Sequence, residues 1–315
     1  MPPAPIFMTA RSDVGSYRGR FAPTPSGLLH EGSMLTALAS YLDARAHGGR
    51  WLLRIDDLDA PRCMRGAADG ILRQLEAHGL FWDEAPRYQS AHGNAYREAL
   101  QQLKTAGRLY TCRCTRAELA HTSRTGPDGP VYAGTCRERH LHLVEAGMDA
   151  GQEAMRYASE DIDLAYVDRI QGALQRHLRQ DVGDFPVLRR DGIIGYHLAC
   201  AVDEDAQGIT HVVRGADLIG STFAQLALLR TLGLRIPRYA HVPVLCGADG
   251  IKLSKQNHAH PVDSARPADT LRRCLRHLGQ DAPDELGAAG EMLPWAIGRW
   301  RISAIPAGPV LTPAG

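Results

Sequence analysis

Tyr17-Arg-Gly-Arg-Phe-Ala22 is a short strand candidate that stops at Pro23-Thr-Pro-Ser-Gly27. Behind that turn Leu35, Leu38, Ala39 and Leu42 recur at helical spacing. Ser33 is the N-cap candidate, and Gly48-Gly49 ends the helix. Trp51-Leu-Leu-Arg-Ile55 then reads as a buried strand, bounded by the acidic loop Asp56-Asp57-Leu58-Asp59 and Pro61. Helical periods follow at Ile71, Leu72 and Leu75 up to Gly79. A further helix spans roughly Asn94 to Ala106, with Tyr96, Leu100 and Leu103 on one face. This rhythm constrains the fold more than any other feature. Strands joined through helices run parallel, which predicts an α/β protein whose phosphate ligands collect at the strands' C-terminal ends.

The rhythm breaks between about Tyr110 and Phe185, a stretch of clustered cysteines and Gly/Pro turns that reads as an inserted module. It returns with the strand candidates Gly192–His197 and Ile209–Arg214, a helix from Ser221 to Gly233, and the strand candidate Tyr239–Leu245. Beyond Asp269 one helix carries Leu271, Leu275 and Leu278. A short Trp-containing segment follows, and Pro306–Gly315 reads as a loose tail. A chain of 315 residues exceeds the ~250–300 at which one core stops growing. The expected division is 17–109 and 188–260 as two halves of a catalytic α/β domain, 110–187 as the insertion, and 261–305 as a short helical C-terminal region.

Hydrophobic residues at 44% and charged residues at 23% exclude a collagen-like, coiled-coil or largely disordered chain. Charge is balanced, 36 Lys+Arg against 35 Asp+Glu, so net charge neither suggests nor excludes a nucleic-acid partner. The N-terminus lacks a signal-peptide core, and no run approaches the ~20 apolar residues of a membrane span. The seven cysteines suggest no disulfide framework. The expectation is a soluble, cytoplasmic protein, monomeric and without a membrane partner.

Two loops carry phosphate chemistry. Gly27 and Gly32 flank His30, so backbone can approach a ligand closely where a helix N-terminus favours an anion. The second loop is Lys252-Leu253-Ser254-Lys255, whose two ammonium groups can face one polyphosphate. Lysine occurs otherwise only at Lys104, which makes a chance surface pair less economical. Neither loop has Walker A spacing. In the middle stretch, Cys112, Cys114 and Cys136 are three thiolates at a spacing that suits tetrahedral zinc with one further ligand. Tyr132, His121 and His140 are all open for that place.

Taken together, the two loops resemble the paired signatures of class I aminoacyl-tRNA synthetases: His30-Glu-Gly-Ser33 is similar to the HIGH element and Lys252-Leu-Ser-Lys-Gln256 to KMSKS. Arg20-Phe-Ala-Pro-Thr-Pro-Ser-Gly27, Arg54-Ile-Asp-Asp-Leu-Asp59 with Pro61-Arg62, and Val213-Arg-Gly-Ala-Asp-Leu218 resemble the glutamyl branch. The likeness runs from about Tyr17 to His260. Only 55 residues follow His260 (315 − 260), too few for a large anticodon-binding region, and Asn257-His-Ala follows the lysine loop. Both features resemble the short glutamyl-Q branch of the family.

That resemblance implies a class I catalytic domain of Rossmann type. It would activate L-glutamate with ATP and Mg²⁺ and transfer it to the queuosine base of the tRNA(Asp) anticodon. It implies glutamate binding by Arg20, Phe21, Ala22, Pro23, Thr24, Asp56, Tyr196 and Arg214. It places His30, Gly32 and Lys255 at ATP, with Lys252 and Ser254 beside them in catalysis. It implies one structural zinc on Cys112, Cys114, Tyr132 and Cys136. Asp56 stands where the family has Glu, so its ammonium contact is expected to be longer, water-bridged or taken over by Asp57. The chemistry itself needs such a set, because a guanidinium matches a carboxylate in a two-point contact. Alternatives are a truncated synthetase charging a tRNA 3′ end, a non-catalytic RNA-binding paralogue, and a nucleotidyltransferase with a similar His/Gly loop.

Overall fold

Neighbouring residues on the central strands point into two different cores, and this alternation places the functional side chains. The computed structural model describes residues 4–10, 16–137, 153–246 and 260–311. After β1 (Ile6–Phe7), one parallel ladder joins β2 (Arg18–Phe21), β3 (Arg50–Ile55) and β4 (Arg87–Tyr88), with Arg20 opposite Leu52 and Arg54 opposite Arg87. Helices α1 (Glu31–Ala46), α2 (Ala67–Ala77) and α3 (Gly93–Thr105) lie between or after these strands. In the second half, α5 (Tyr196–Ala206) precedes β12 (His211–Gly215), and α6 (Ile219–Leu232) connects it to β13 (Arg238–Val242). The β12–β13 ladder is parallel, with Arg214 opposite His241. It lies beside β2, since the Thr210 N–H donates to Arg18 O at 3.0 Å. The chain therefore winds outward from β2 on one side and from β12 on the other. A crevice forms at that reversal, at the strands' C-terminal ends.

Trp51, Leu53, Val213 and Ala240 enter a core with α1, α2 and the C-terminal helices α7 (Pro267–His277) and α8 (Ala289–Arg299). Leu52, Val212 and Tyr239 enter the opposite core, with α3, α5 and α6. Successive strand side chains face opposite ways, so Arg20, Arg54, Arg214 and His241 all fall on the α5/α6 face of the sheet.

The middle stretch is mostly antiparallel. It holds β5 (Leu109–Cys112), α4 (Arg116–Thr122), β6 (Arg124–Gly126), β7 (Gly129–Val131), β8 (Ala154–Tyr157), β9 (Asp163–Asp168), β10 (Gly172–His177) and β11 (Phe185–Leu188). One sheet runs β11-β8-β5, and another runs β1-β9-β10. Tyr157, Leu164, Tyr166 and Leu178 share the core of Leu52 and Val212. β9 also approaches β13, with the Arg169 N–H donating to Tyr239 O at 3.0 Å.

Several sequence expectations need correction. The N-cap of α1 is His30, not Ser33. His30 Nδ1 accepts from the Ser33 N–H at 3.4 Å, so a ring nitrogen replaces the hydroxyl at the helix end. Gly192–His197 is not a strand. It forms one bridge, Leu188 to Ile194, and then enters α5, because apolar residues at Leu198, Ala199, Ala201 and Val202 favour helical packing. The strand expected over 239–245 is interrupted at Pro243, giving β13 and β14 (Val244–Leu245). The Trp-containing segment is the helix α8. The expected tail is tied down: β15 (Val310–Leu311) pairs in parallel with β14, and the Gly308 N–H donates to Gln171 Oε1 at 2.9 Å. The buried carboxylate of Asp43 on α1 joins three distant segments, binding Tyr17, Arg169 and, at 3.0 Å, Trp300.

Candidate active site

A cavity of about 470 Å³ opens at the reversal between β2 and β12. Its walls include Arg20 to Thr24 from the end of β2 and His30, Gly32 and Ser33 from the start of α1. Tyr196 and Arg214 complete the opposite side. A second cavity of about 230 Å³ adjoins it, sharing Thr24, Arg62 and Tyr196 and adding Asp56. Every residue singled out for an amino-acid substrate thus lines one continuous crevice or its side pocket. Gly27 in the intervening turn has φ +141°, a conformation that L side chains rarely adopt. The His30 ring sits across the entrance of α1, with Nε2 3.0 Å from Ser33 Oγ. Lys252, Ser254 and Lys255, like His140, lie outside the described residues.

Beneath the crevice is a buried ionic layer. Arg20, Arg54 and Arg214 descend from the sheet, all no more than 3% exposed; Arg20 pairs with Glu204 on α5 at 2.8 Å, and Arg54 lies 3.9 Å from Asp203 and 4.0 Å from Glu204. Arg20 donates Nε and Nη2 to Glu204 Oε1 at 3.1 and 2.8 Å, and Nη1 to Val213 O at 3.4 Å. Its guanidinium is therefore already engaged. Arg54 holds Asp56 through Nε–Oδ1 at 2.7 Å and touches Cys200 Sγ at 3.3 Å. Asp203 collects Arg87, Gln89 and Tyr96, each at 2.8 Å. Burial opposes the charge of Glu204, but the Arg20, Arg54 and Arg214 guanidiniums together hold its pKa below the usual carboxylate range. Burial pushes Asp56 upward against the pull of Arg54. Asp57, the other carboxylate considered for the ammonium group, instead accepts from Ser90 N and Oγ at 2.8 and 2.6 Å.

Arg214 is differently placed. Nε donates to His241 Nε2 at 3.1 Å and Nη2 to Thr222 Oγ1 at 2.6 Å. Nη1 is buried and finds no hydrogen-bond partner among the described residues. Arg214 lines the cavity, and a buried guanidinium with one nitrogen unpartnered fits an incoming carboxylate.

Away from this site, Cys112, Cys114 and Cys136 bring their sulfurs within 4.8 Å of one another. Tyr132 Oη stands 3.7 Å from Cys112 Sγ and 3.4 Å from Cys114 Sγ, while Cys114 and Cys136 are 3.5 Å apart. Four donors around one zinc at ~2.3 Å would lie ~3.8 Å from each other. The cluster thus has the dimensions of a metal site, and it could bind one. His121 is exposed on α4 and is not part of the cluster.

Sequence reading missed Glu204, Asp203, His241, Asp168 and Thr222. A signal existed for two of them. Tyr196, Cys200, Asp203 and Glu204 recur at four- and three-residue steps within an otherwise apolar helix, which places acids on a buried face.

The reversed parallel sheet and the crevice at its strand ends define a class I synthetase catalytic unit. The profile of the family described as tRNA synthetases class I (E and Q), catalytic domain, matches residues 16–278. A glutamate tRNA ligase from Elizabethkingia meningosepticum, solved in complex with its amino acid, is similar in fold, with a TM-score of 0.76. Its identity is 24%, over 94% of this chain and 67% of that one. The glutamate-tRNA synthetase of Elizabethkingia anophelis gives a TM-score of 0.78 at 23% identity, over 95% of this chain and 68% of that one.

Curated relatives narrow the assignment. A protein of Chromobacterium violaceum named glutamyl-Q tRNA(Asp) synthetase is 48% identical over 299 residues, 94% of this chain and 98% of that protein. One of the same name from Methylococcus capsulatus is 45% identical over 96% of this chain and 97% of that protein. The chain belongs to the glutamyl-Q tRNA(Asp) synthetase family and is a ligase-type enzyme.

Proposed function

We propose that this enzyme activates L-glutamate with ATP and transfers the glutamyl group to the queuosine base in the anticodon of tRNA(Asp). The observation that carries the reading is the arrangement of one crevice. Arg214 and Tyr196 on one wall suit an amino acid, and the α1 N-terminus with His30 and Gly32 on the other suits a nucleotide. The names of relatives at 45–48% identity supply the acceptor.

In this reading the carboxylate of Arg214's ligand lies at the reversal point, with Thr24 and Asp56 on the side of its ammonium group. A substrate carboxylate oxygen attacks the α-phosphorus of ATP and pyrophosphate leaves, giving glutamyl-adenylate. His30, the α1 N-terminus, Lys252, Ser254 and Lys255 serve to position the phosphates and meet the charge that develops on them. Mg²⁺ entering with ATP neutralises part of that charge. A hydroxyl of the queuosine cyclopentene ring then attacks the acyl carbon and AMP departs. Cys112, Cys114, Tyr132 and Cys136 would hold one zinc. Four protein donors leave no open coordination position, so its role is structural.

The test is glutamate-dependent pyrophosphate exchange without tRNA, followed by nuclease mapping of labelled glutamate on tRNA. Label confined to the anticodon fragment of queuosine-containing tRNA(Asp), and none on tRNA(Asp) lacking queuosine, is expected. Efficient alkali-labile charging of the 3′ adenosine of tRNA(Glu) would overturn the acceptor assignment. Absence of exchange would remove the activation step.

A further inference from the structure

Behind Arg214 runs a line of buried side chains that begins in the middle stretch of the sequence. Asp168 ends β9 and is 2% exposed. Its Oδ2 lies 2.6 Å from His241 Nδ1, and its Oδ1 accepts the backbone N–H groups of His241, Ile170 and Gln171 at 3.1, 2.9 and 2.9 Å. His241 is fully buried, and its Nε2 is 3.1 Å from Arg214 Nε. A guanidinium only donates, so Nε2 must be the bare, accepting nitrogen. The one ring proton then sits on Nδ1 and points at Asp168. Thr222 Oγ1 accepts from Nη2 of the same guanidinium at 2.6 Å and stands 3.0 Å from His241 Nε2 and 3.1 Å from Leu218 O, so its hydroxyl can also donate to a bare Nε2. With Nε and Nη2 spoken for, Nη1 is the one nitrogen of this cavity-lining guanidinium without a hydrogen-bond partner among the described residues.

We propose that Asp168 and His241 are positioning residues. Asp168 locks His241 in its neutral Nδ1–H tautomer, and the bare Nε2 aims the Arg214 guanidinium so that Nη1 meets the substrate carboxylate. This rests on the reading of Arg214 as the carboxylate-binding residue. The opposite tautomer would set an N–H against an N–H and push the guanidinium aside. The imidazolium form would do the same, with a second positive charge. Burial, reinforced by the Arg214 charge, keeps the ring neutral although Asp168 pulls the other way. Because Asp168 belongs to β9, the pose of a pocket arginine on β12 depends on how the middle stretch docks against β13.

Long-range ¹H–¹⁵N spectra of the labelled wild-type enzyme should show His241 protonated at Nδ1 and bare at Nε2. In Asp168→Asn the amide can face the ring with either its oxygen or its NH₂, so the tautomer is no longer fixed. The expected result is a glutamate KM raised ~10-fold or more, with the ATP KM within about twofold of wild type. His241→Gln, whose amide oxygen can stand near the place of Nε2, should recover part of what His241→Leu loses. A purely structural role would move both KM values and the melting curve together. A wild-type His241 protonated at Nε2 overturns the proposal whatever the variants do. Arg214→Lys separates the two layers of the argument. If it leaves the glutamate KM unchanged, the reading of Arg214 fails. If it raises that KM while Asp168→Asn keeps the wild-type tautomer and KM, the reading stands and the positioning role is refuted.

Discussion

Glu204→Gln is the sharpest probe of the buried ionic layer. The Arg20 and Glu204 side chains are 4% and 1% exposed, with Nη2 and Nε of the arginine at 2.8 and 3.1 Å from a single carboxylate oxygen. Removing one partner of such a pair usually costs ~3–5 kcal/mol, because a charge stays buried without its counter-ion. Glutamine keeps an oxygen in nearly the same place but loses charge assistance, which roughly halves the strength of each bond. The expected loss is therefore ~2–3 kcal/mol, or ~3–5 °C in Tm for a chain of this size. Urea and thermal denaturation at several pH values provide the assay. Glu204 has a folded-state pKa below the ordinary range, so its stabilisation is complete above the unfolded value of ~4.3 and is lost as pH falls through the folded one. The gap between wild type and variant should hold constant from pH 8 to pH 5 and narrow at more acid pH. A gap below ~1 kcal/mol at pH 7 would refute the reasoning, since Arg20 would then be satisfied without that charge.

Lys255→Ala should keep the fold, judged by circular dichroism, while glutamate-dependent pyrophosphate exchange falls ~10²–10³-fold. Exchange near the wild-type rate would remove the lysine loop from the mechanism. Elemental analysis should find one zinc per chain. Its removal by chelation should raise amide exchange over residues 109–137 while leaving the start of α1 unchanged; zinc-free protein after metal-replete purification would count against the site. Deleting residues 307–315 removes the bonds from Val244 N to Pro309 O and between Gln171 and Gly308, and should lower stability by ~2–3 kcal/mol in urea. An unchanged denaturation midpoint would return that segment to the status of a loose tail.

How far the sequence reached is clearest in the strands. The uninterrupted buried run Trp51–Ile55 and the helical spacing of Leu35, Leu38 and Leu42 are local patterns, so the parallel α/β sheet and the crevice at its strand ends could be read from them. The same holds for residues tied to a turn or a strand end, namely Thr24, His30 and Arg214, which all reach that crevice, whereas Tyr196 lines it from the first turn of α5. Helix and strand boundaries were less legible where a local cue competes with packing. Ser33 is the commoner cap, yet the His30 ring takes the place. Gly192–His197 has strand residues but joins a helix whose apolar side must be buried.

Long-range pairing was beyond the sequence by itself. Arg20 and Glu204 are 184 residues apart and Asp168 and His241 are 73 apart, and nothing local marks either as a pair. The arginines carry no record of which carboxylate will neutralise them, because that is set by which strand face meets α5. Desolvation then forces the choice: a buried charge must find its partner when the elements pack, and only the packed sheet brings β9 to β13 and α5 beneath β2. The sequence by itself determined the parallel sheet and the residues that line the crevice at its strand ends. The tertiary structure decided that Arg20 is already held by Glu204 while Nη1 of Arg214 has no hydrogen-bond partner among the described residues.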